Sequence, residues 1–173
     1  NAGCTMDADG FYERNGEEIG FVISVMSGEQ DRIDIAQAAA QQLQEIGINC
    51  TVDIPAQMEW GGKMACLIGW GSPFDADDHT YKVFGTDKGA NYSGYSNEKV
   101  DEYLTLARQY EDQETRGKYY DLFQEELAKD PAYAFICYID ANYVADSDIK
   151  GISEKTVLGH HGVGIFWNIQ DWE

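Results

Sequence analysis

Apolar residues run almost unbroken through residues 19–26, Ile-Gly-Phe-Val-Ile-Ser-Val-Met, a pattern that predicts a buried strand. The period then changes. Over residues 31–46, Ile35, Ala36, Ala39, Leu43 and Ile46 recur at helical spacing and predict an amphipathic helix. Gly47 follows as the residue that accepts a left-handed backbone and ends it. Residues 48–54 alternate again as a second strand, so strand, helix and strand predict a right-handed βαβ unit with parallel strands. Residues 65–68 are a third short apolar run. It breaks at Gly69-Trp70-Gly71 into a loop carrying Asp75, Asp77, Asp78 and His79. In open α/β sheets ligands gather beyond the carboxyl ends of the strands, which makes this loop the first candidate site.

Downstream, residues 80–97 read as loop. Ser96 or Asn97 can cap a helix whose first turn holds Glu98, Asp101 and Glu102 and whose inward face is Val100, Tyr103, Leu104 and Ala107. A further helix is predicted over 113–129, with Tyr119, Tyr120, Phe123 and Leu127 inward and Asp130-Pro131 as its stop. Residues 133–144 predict one or two strands bent at Asp140-Ala141-Asn142, and residues 165–169 a closing strand. Near the start, Asn15-Gly16 is a two-residue hairpin turn, and Asp7-Ala8-Asp9-Gly10 is a surface turn that lacks the spacing of a calcium loop. There is no repeat or linker, so residues 1–173 predict one α/β domain.

The formal charge of −19 disfavours double-stranded nucleic acid and anionic membrane as partners and is compatible with cationic or zwitterionic small ligands. No apolar run reaches the length of a membrane span, and no leader is expected within the chain. Ala2-Gly3-Cys4 resembles the end of a lipoprotein signal, but Asn1 and the missing apolar segment argue against one here. Cys4, Cys50, Cys66 and Cys137 form no close pair, which removes a CxxC centre. The last three lie in apolar runs and predict buried free thiols.

The acidic loop admits several readings. Asp75, Asp77, Asp78 and His79 offer metal ligands that need a further donor such as His160 or His161. The carboxylates can also be read as a hydrolytic pair, or as turn residues that bond their own backbone. No Gly-x-Ser-x-Gly elbow surrounds Ser93 and no phosphate-binding glycine loop follows a strand, so no cofactor is expected. Trp60, Trp167 and Trp172 read as packing, while Trp70, at a strand end, is an open case.

Several stretches resemble one family. Gly69-Trp70-Gly71 with Asp75-Ala76-Asp77 is similar to the Gly-Trp…Asp-Pro-Asp segment of extracellular solute-binding proteins of the peptide/nickel/opine type, family 5 of ABC importers. Asn91-Tyr92-Ser93-Gly94-Tyr95-Ser96-Asn97 with Val100-Asp101 resembles another of its segments, with Glu98 where the family usually has Pro. Arg116, Tyr120, Gln124, Leu127, Ala128 and Asp130 resemble its Arg-x-x-x-Tyr-x-x-x-Gln-x-x-Leu-Ala-x-Asp helix. The tail, Trp167-Asn168-Ile169 with Trp172, resembles the family's C-terminus.

The resemblance implies a periplasmic-binding-protein-like type II lobe, a mixed and mostly parallel sheet flanked by helices. It implies the C-terminal lobe of a two-lobed protein whose N-terminal lobe, signal and lipid-bearing Cys lie upstream. Such proteins trap a small solute, here a peptide, between their lobes, deliver it to an ABC permease and catalyse nothing. They work outside the cytoplasm, in the periplasm or as cell-surface lipoproteins. Trp70, Gly71 and Ser72 would line the cleft, with Asp75 and Asp77 giving a negative field for an ammonium group. In peptide-binding members an Asp after Gly-Trp meets that group; the matching position here is Ser72 or Pro73, so Asp75 or Asp77 either substitutes for it or caps the next turn. A metal-dependent or carboxylate-pair hydrolase built on residues 75–79 is the alternative.

Overall fold

A computed structural model describes residues 2–58, 65–71, 75–140, 142–152 and 164–173. The chain divides into two compact units, Asn1–Gly69 and Trp70–Glu173.

The first unit opens with a small antiparallel sheet, β1 (Thr5–Met6), β2 (Tyr12–Arg14) and β3 (Glu17–Glu18), in that spatial order. Asn15 and Gly16 join β2 to β3 with φ of 55° and 79°, the pair of positive values that a tight hairpin of matching twist requires. The Asp7 carboxylate accepts the amides of Asp9 and Phe11 at 2.9 and 2.8 Å, closing the expected surface turn.

A three-stranded parallel sheet follows, β4 (Gly20–Ser24), β5 (Asn49–Asp53) and β6 (Ala65–Cys66), with β4 in the middle. The Leu67 amide extends the β6 pairing to the Ser24 carbonyl at 3.0 Å. The crossover is α1 (Gln30–Glu45), which buries Ile33 and Ala36 against Val25, with Ile23, Val52 and Leu67 packed around them. Ile33, Ala36 and Ala40 are thus the centre of the buried stripe, while Ile46, expected on it, is exposed. At its end Gly47, at φ 84°, donates to the Gln44 carbonyl and Ile48 to that of Leu43. These two bonds satisfy carbonyls the helix itself leaves open.

The second unit is built on three helices, α2 (Asp77–Phe84), α3 (Glu98–Ala107) and α4 (Gln113–Leu127). Val100 and Leu104 of α3 meet Phe123 and Leu127 of α4, with Tyr81 and Phe84 of α2 against them. Asn97 caps α3 by accepting the amides of Lys99 and Val100 at 3.0 and 3.3 Å. Asp112 caps α4 through the Thr115 amide at 2.8 Å. Asn91 organises the α2–α3 loop: its amide group donates to the carbonyls of Gly85 and Tyr95 and its oxygen accepts the Tyr95 amide.

Four expectations are corrected here. Residues 77–84 are helical, not loop, because Asp77 and Asp78 suit the positive end of a helix whose Tyr81 and Phe84 reach the core. Among the described residues of 133–144 there is no strand; the apolar alternation is present, but no neighbouring backbone pairs with it, and Tyr138 and Val144 are fully exposed. Cys137 therefore lies exposed on this segment, whereas Cys50 is buried and Cys66 half-buried; all four thiols are free. Burial raises the pKa of Cys50 and Cys66. Residues 165–169 do not form a closing strand: the tail turns through a 3-10 helix at Ile169–Asp171. Its last residue exchanges two backbone bonds with Lys150, at 2.9 and 3.1 Å, and Asn168 holds the Trp172 indole N–H at 3.1 Å.

Candidate functional site

Trp70 and Gly71 follow β6 in the chain and open the second unit. The Trp70 indole lies parallel to the Tyr92 ring, with centroids 6.0 Å apart and planes 10° from parallel. It also meets the imidazole of His79, at 5.5 Å and 48°. His79 is buried on the first turn of α2, while Trp70 and Tyr92 remain 41% and 44% exposed. Two broad rings are therefore presented to solvent over a buried imidazole, a surface that can stack against planar or apolar parts of a ligand. Gly69, the last residue of the first unit, packs against the Arg32 guanidinium of α1; an added Cβ would come within 2.7 Å of its Nη2.

The acidic residues are tied down by cations. Arg116, near the start of α4, clamps Asp75 with both nitrogens of its fork, at 2.7 and 3.0 Å, and its Nη2 also donates to the Tyr120 hydroxyl at 3.4 Å. The Asp75 carboxylate also accepts the Asp77 amide at 2.8 Å, an Asx turn that leads into α2. Asp77 Oδ2 lies 3.3 Å from Arg108 Nε, and the Arg108 guanidinium sits 4.0 Å above the Tyr81 ring. Asp78 pairs with Lys82 one turn on, at 3.1 Å. Ser72 lies outside the described residues, as do Trp60, His160 and His161. Among the described residues no three His, Cys, Asp or Glu side chains gather as a metal site, so Asp75, Asp77, Asp78 and His79 do not form one together. No described helix is long and apolar enough to cross a membrane.

Tyr92, Arg108 and Arg116 were not legible as parts of this site. Tyr92 and Arg116 stand in two of the resembling stretches, which is the one signal the sequence carried for them.

The carboxyl of Asp75 titrates below its ordinary range, chiefly through the Arg116 bonds and next through the Asp77 amide. Arg116 is correspondingly held protonated above its usual range, mainly by Asp75. A carboxyl lowered on folding favours the folded state above its unfolded pKa of about 3.9. That contribution is lost as pH falls through the lower folded value. Wild type and Asp75→Asn are therefore expected to differ in urea midpoint by a constant amount near neutral pH, and the difference is expected to shrink as pH falls below about 3.9 and the Asp75 carboxylate takes up its proton. A difference that persists unchanged in acid would mean that Asp75 acts through shape and not charge.

Comparison with known proteins shows that the chain is 24% identical over 180 residues to the oligopeptide-binding protein AppA of Bacillus subtilis (strain 168), across 96% of this chain and 31% of that protein. It is 30% identical over 161 residues to protein XP55 of Streptomyces lividans, across 89% of this chain and 30% of the relative. Among solved structures, NikZ from Campylobacter jejuni in complex with Ni(L-His) matches with a TM-score of 0.78 and 36% identity, over 99% of this chain and 36% of that one. AppA from Bacillus subtilis in complex with a nonapeptide matches with a TM-score of 0.72 at 24% identity, over 99% and 35%; this second likeness speaks to the fold. The chain spans about a third of the length of the curated relatives it matches. No family profile matches it. The fold is periplasmic-binding-protein-like, as the sequence led us to expect.

Proposed function

We infer from these homologues, which are family 5 solute-binding proteins of ABC importers, that this chain is the C-terminal lobe of such a protein. In this reading the full-length protein captures a small solute, a peptide in the first instance, between two lobes outside the cytoplasm. It hands the solute to an ABC permease and catalyses no reaction. It lies in the periplasm or at the cell surface as a lipoprotein. The observation that carries the reading is the match to NikZ over 99% of the chain at 36% identity.

Two features of the chain itself support it. Trp70 carries a half-exposed ring stacked on Tyr92, and with Gly71, Ser72, Asp75 and Asp77 it makes up the residues read here as facing the ligand. Phe135, Ile136, Tyr138 and Val144 are exposed on a segment that pairs with no strand among the described residues. Such a segment is expected to be covered by chain outside this one, here the other lobe.

The complex of NikZ with Ni(L-His) favours a second reading, in which the solute is a metal–amino acid chelate. Native mass spectrometry of the full-length protein, purified without denaturation, separates the two. A peptide mass released on mild unfolding supports the first, and a nickel–histidine mass the second. A protein that carries neither, takes up neither when offered a nonapeptide or Ni(L-His), and instead cleaves the peptide would overturn both and restore the hydrolase alternative.

A further inference from the structure

We propose that Arg116 is a positioning residue for the aromatic face of Trp70, acting through Asp75 and α2; this rests on the ligand-binding reading above. α2 has eight residues, fewer than a helix needs to persist alone. It is held by the packing of Tyr81 and Phe84 on the α3–α4 core and by what grips its start. Asp75 does this twice: its carboxylate accepts the Asp77 amide, and its carbonyl accepts the Asp78 amide at 3.2 Å. Arg116 in turn fixes the Asp75 carboxylate through two nearly parallel bonds from α4, 41 residues away in sequence. A fork of this kind fixes direction as well as distance, which a single lysine bond does not. His79, on the same first turn of α2, carries the constraint to Trp70 through ring contact at 5.5 Å. Arg108 provides a weaker parallel hold on Asp77, through one contact at 3.3 Å.

The consequence is that Asp75 is occupied in holding the rim and is not a free carboxylate for a ligand. The described bonds of Arg116 run to Asp75 and Tyr120, so its influence on binding travels through this path.

Hydrogen exchange of the 173-residue chain tests the path without any ligand. In Arg116→Gln, the amides of α2 are expected to exchange about tenfold faster or more, while those of α3 keep their wild-type rates. Arg116→Lys, which keeps the charge but not the fork, is expected to fall between. Unchanged exchange in α2, or equal acceleration in α2 and α3, would overturn the proposal. In the full-length protein, Arg116→Gln and Asp75→Asn are each expected to weaken binding of the nonapeptide or Ni(L-His) probe about tenfold. The double variant is expected to be no worse than either alone, since both break one path. Equal affinity in wild type and Arg116→Gln, or additive losses, would overturn the role in binding. If wild type binds neither probe, the ligand-binding reading fails, and the exchange measurement still decides whether Arg116 holds α2.

Discussion

Leu104→Ala is expected to remove about 2–5 kcal/mol of unfolding free energy. Leu104 has no exposed surface and sits where α3 crosses α4, in one cluster with Val100, Phe123 and Leu127. Val100 and Leu104 are one turn apart, as are Phe123 and Leu127, so each helix offers two side chains on a single face. Truncation deletes transfer free energy and leaves a cavity that Val100, Phe123 and Leu127 cannot close without giving up their own contacts. Urea unfolding followed by circular dichroism measures the loss. Leu122→Ala, on the same helix but 39% exposed, is the control and is expected to cost under about 1 kcal/mol. Equal losses at the two positions would mean that the α3–α4 contact is not the core of the second unit.

The other large effect concerns binding. We expect the isolated chain to bind a nonapeptide or Ni(L-His) at least about a hundredfold more weakly than the full-length protein. In the proposed two-lobed reading, enclosure supplies contacts made only in the closed state, and this chain by itself would forfeit them. Calorimetric titration of both proteins under one buffer makes the comparison. Micromolar affinity in the chain alone would mean that the solute is held within this chain and that the proposed second lobe is not required.

What the sequence disclosed was local. Asn15-Gly16, Gly47 and Asn97 each impose a backbone conformation or a capping bond within four residues, and each stands in the structure where its chemistry placed it. The βαβ order of β4, α1 and β5 was equally legible, because burial on both faces of a strand and on one face of a helix leaves distinct periods. Helix α2 was hidden because Asp75, Asp77 and Asp78 read as loop chemistry, whereas two of them serve as first-turn acids. Residues 133–144 have the composition of strands, but a strand is defined by the backbone beside it, and their own residues say nothing about that. The anchoring of Asp75 by Arg116 joins two stretches 41 residues apart, and no periodicity spans such a gap. Trp70 stood out from its glycine neighbours; its stacking on Tyr92 and His79 did not, since those contacts depend on how the α2–α3 loop returns.

The four free thiols bear on how quickly the chain matures. With no bridge to close, its folding contains no oxidation step and no search among wrong pairings, which otherwise run from seconds to hours. The parallel docking of β4 beside β5 across the intervening α1 is a non-local pairing, the slower class of folding event, whose entropic cost rises with loop length. Refolding of this chain is therefore expected at the same rate with and without a thiol reductant.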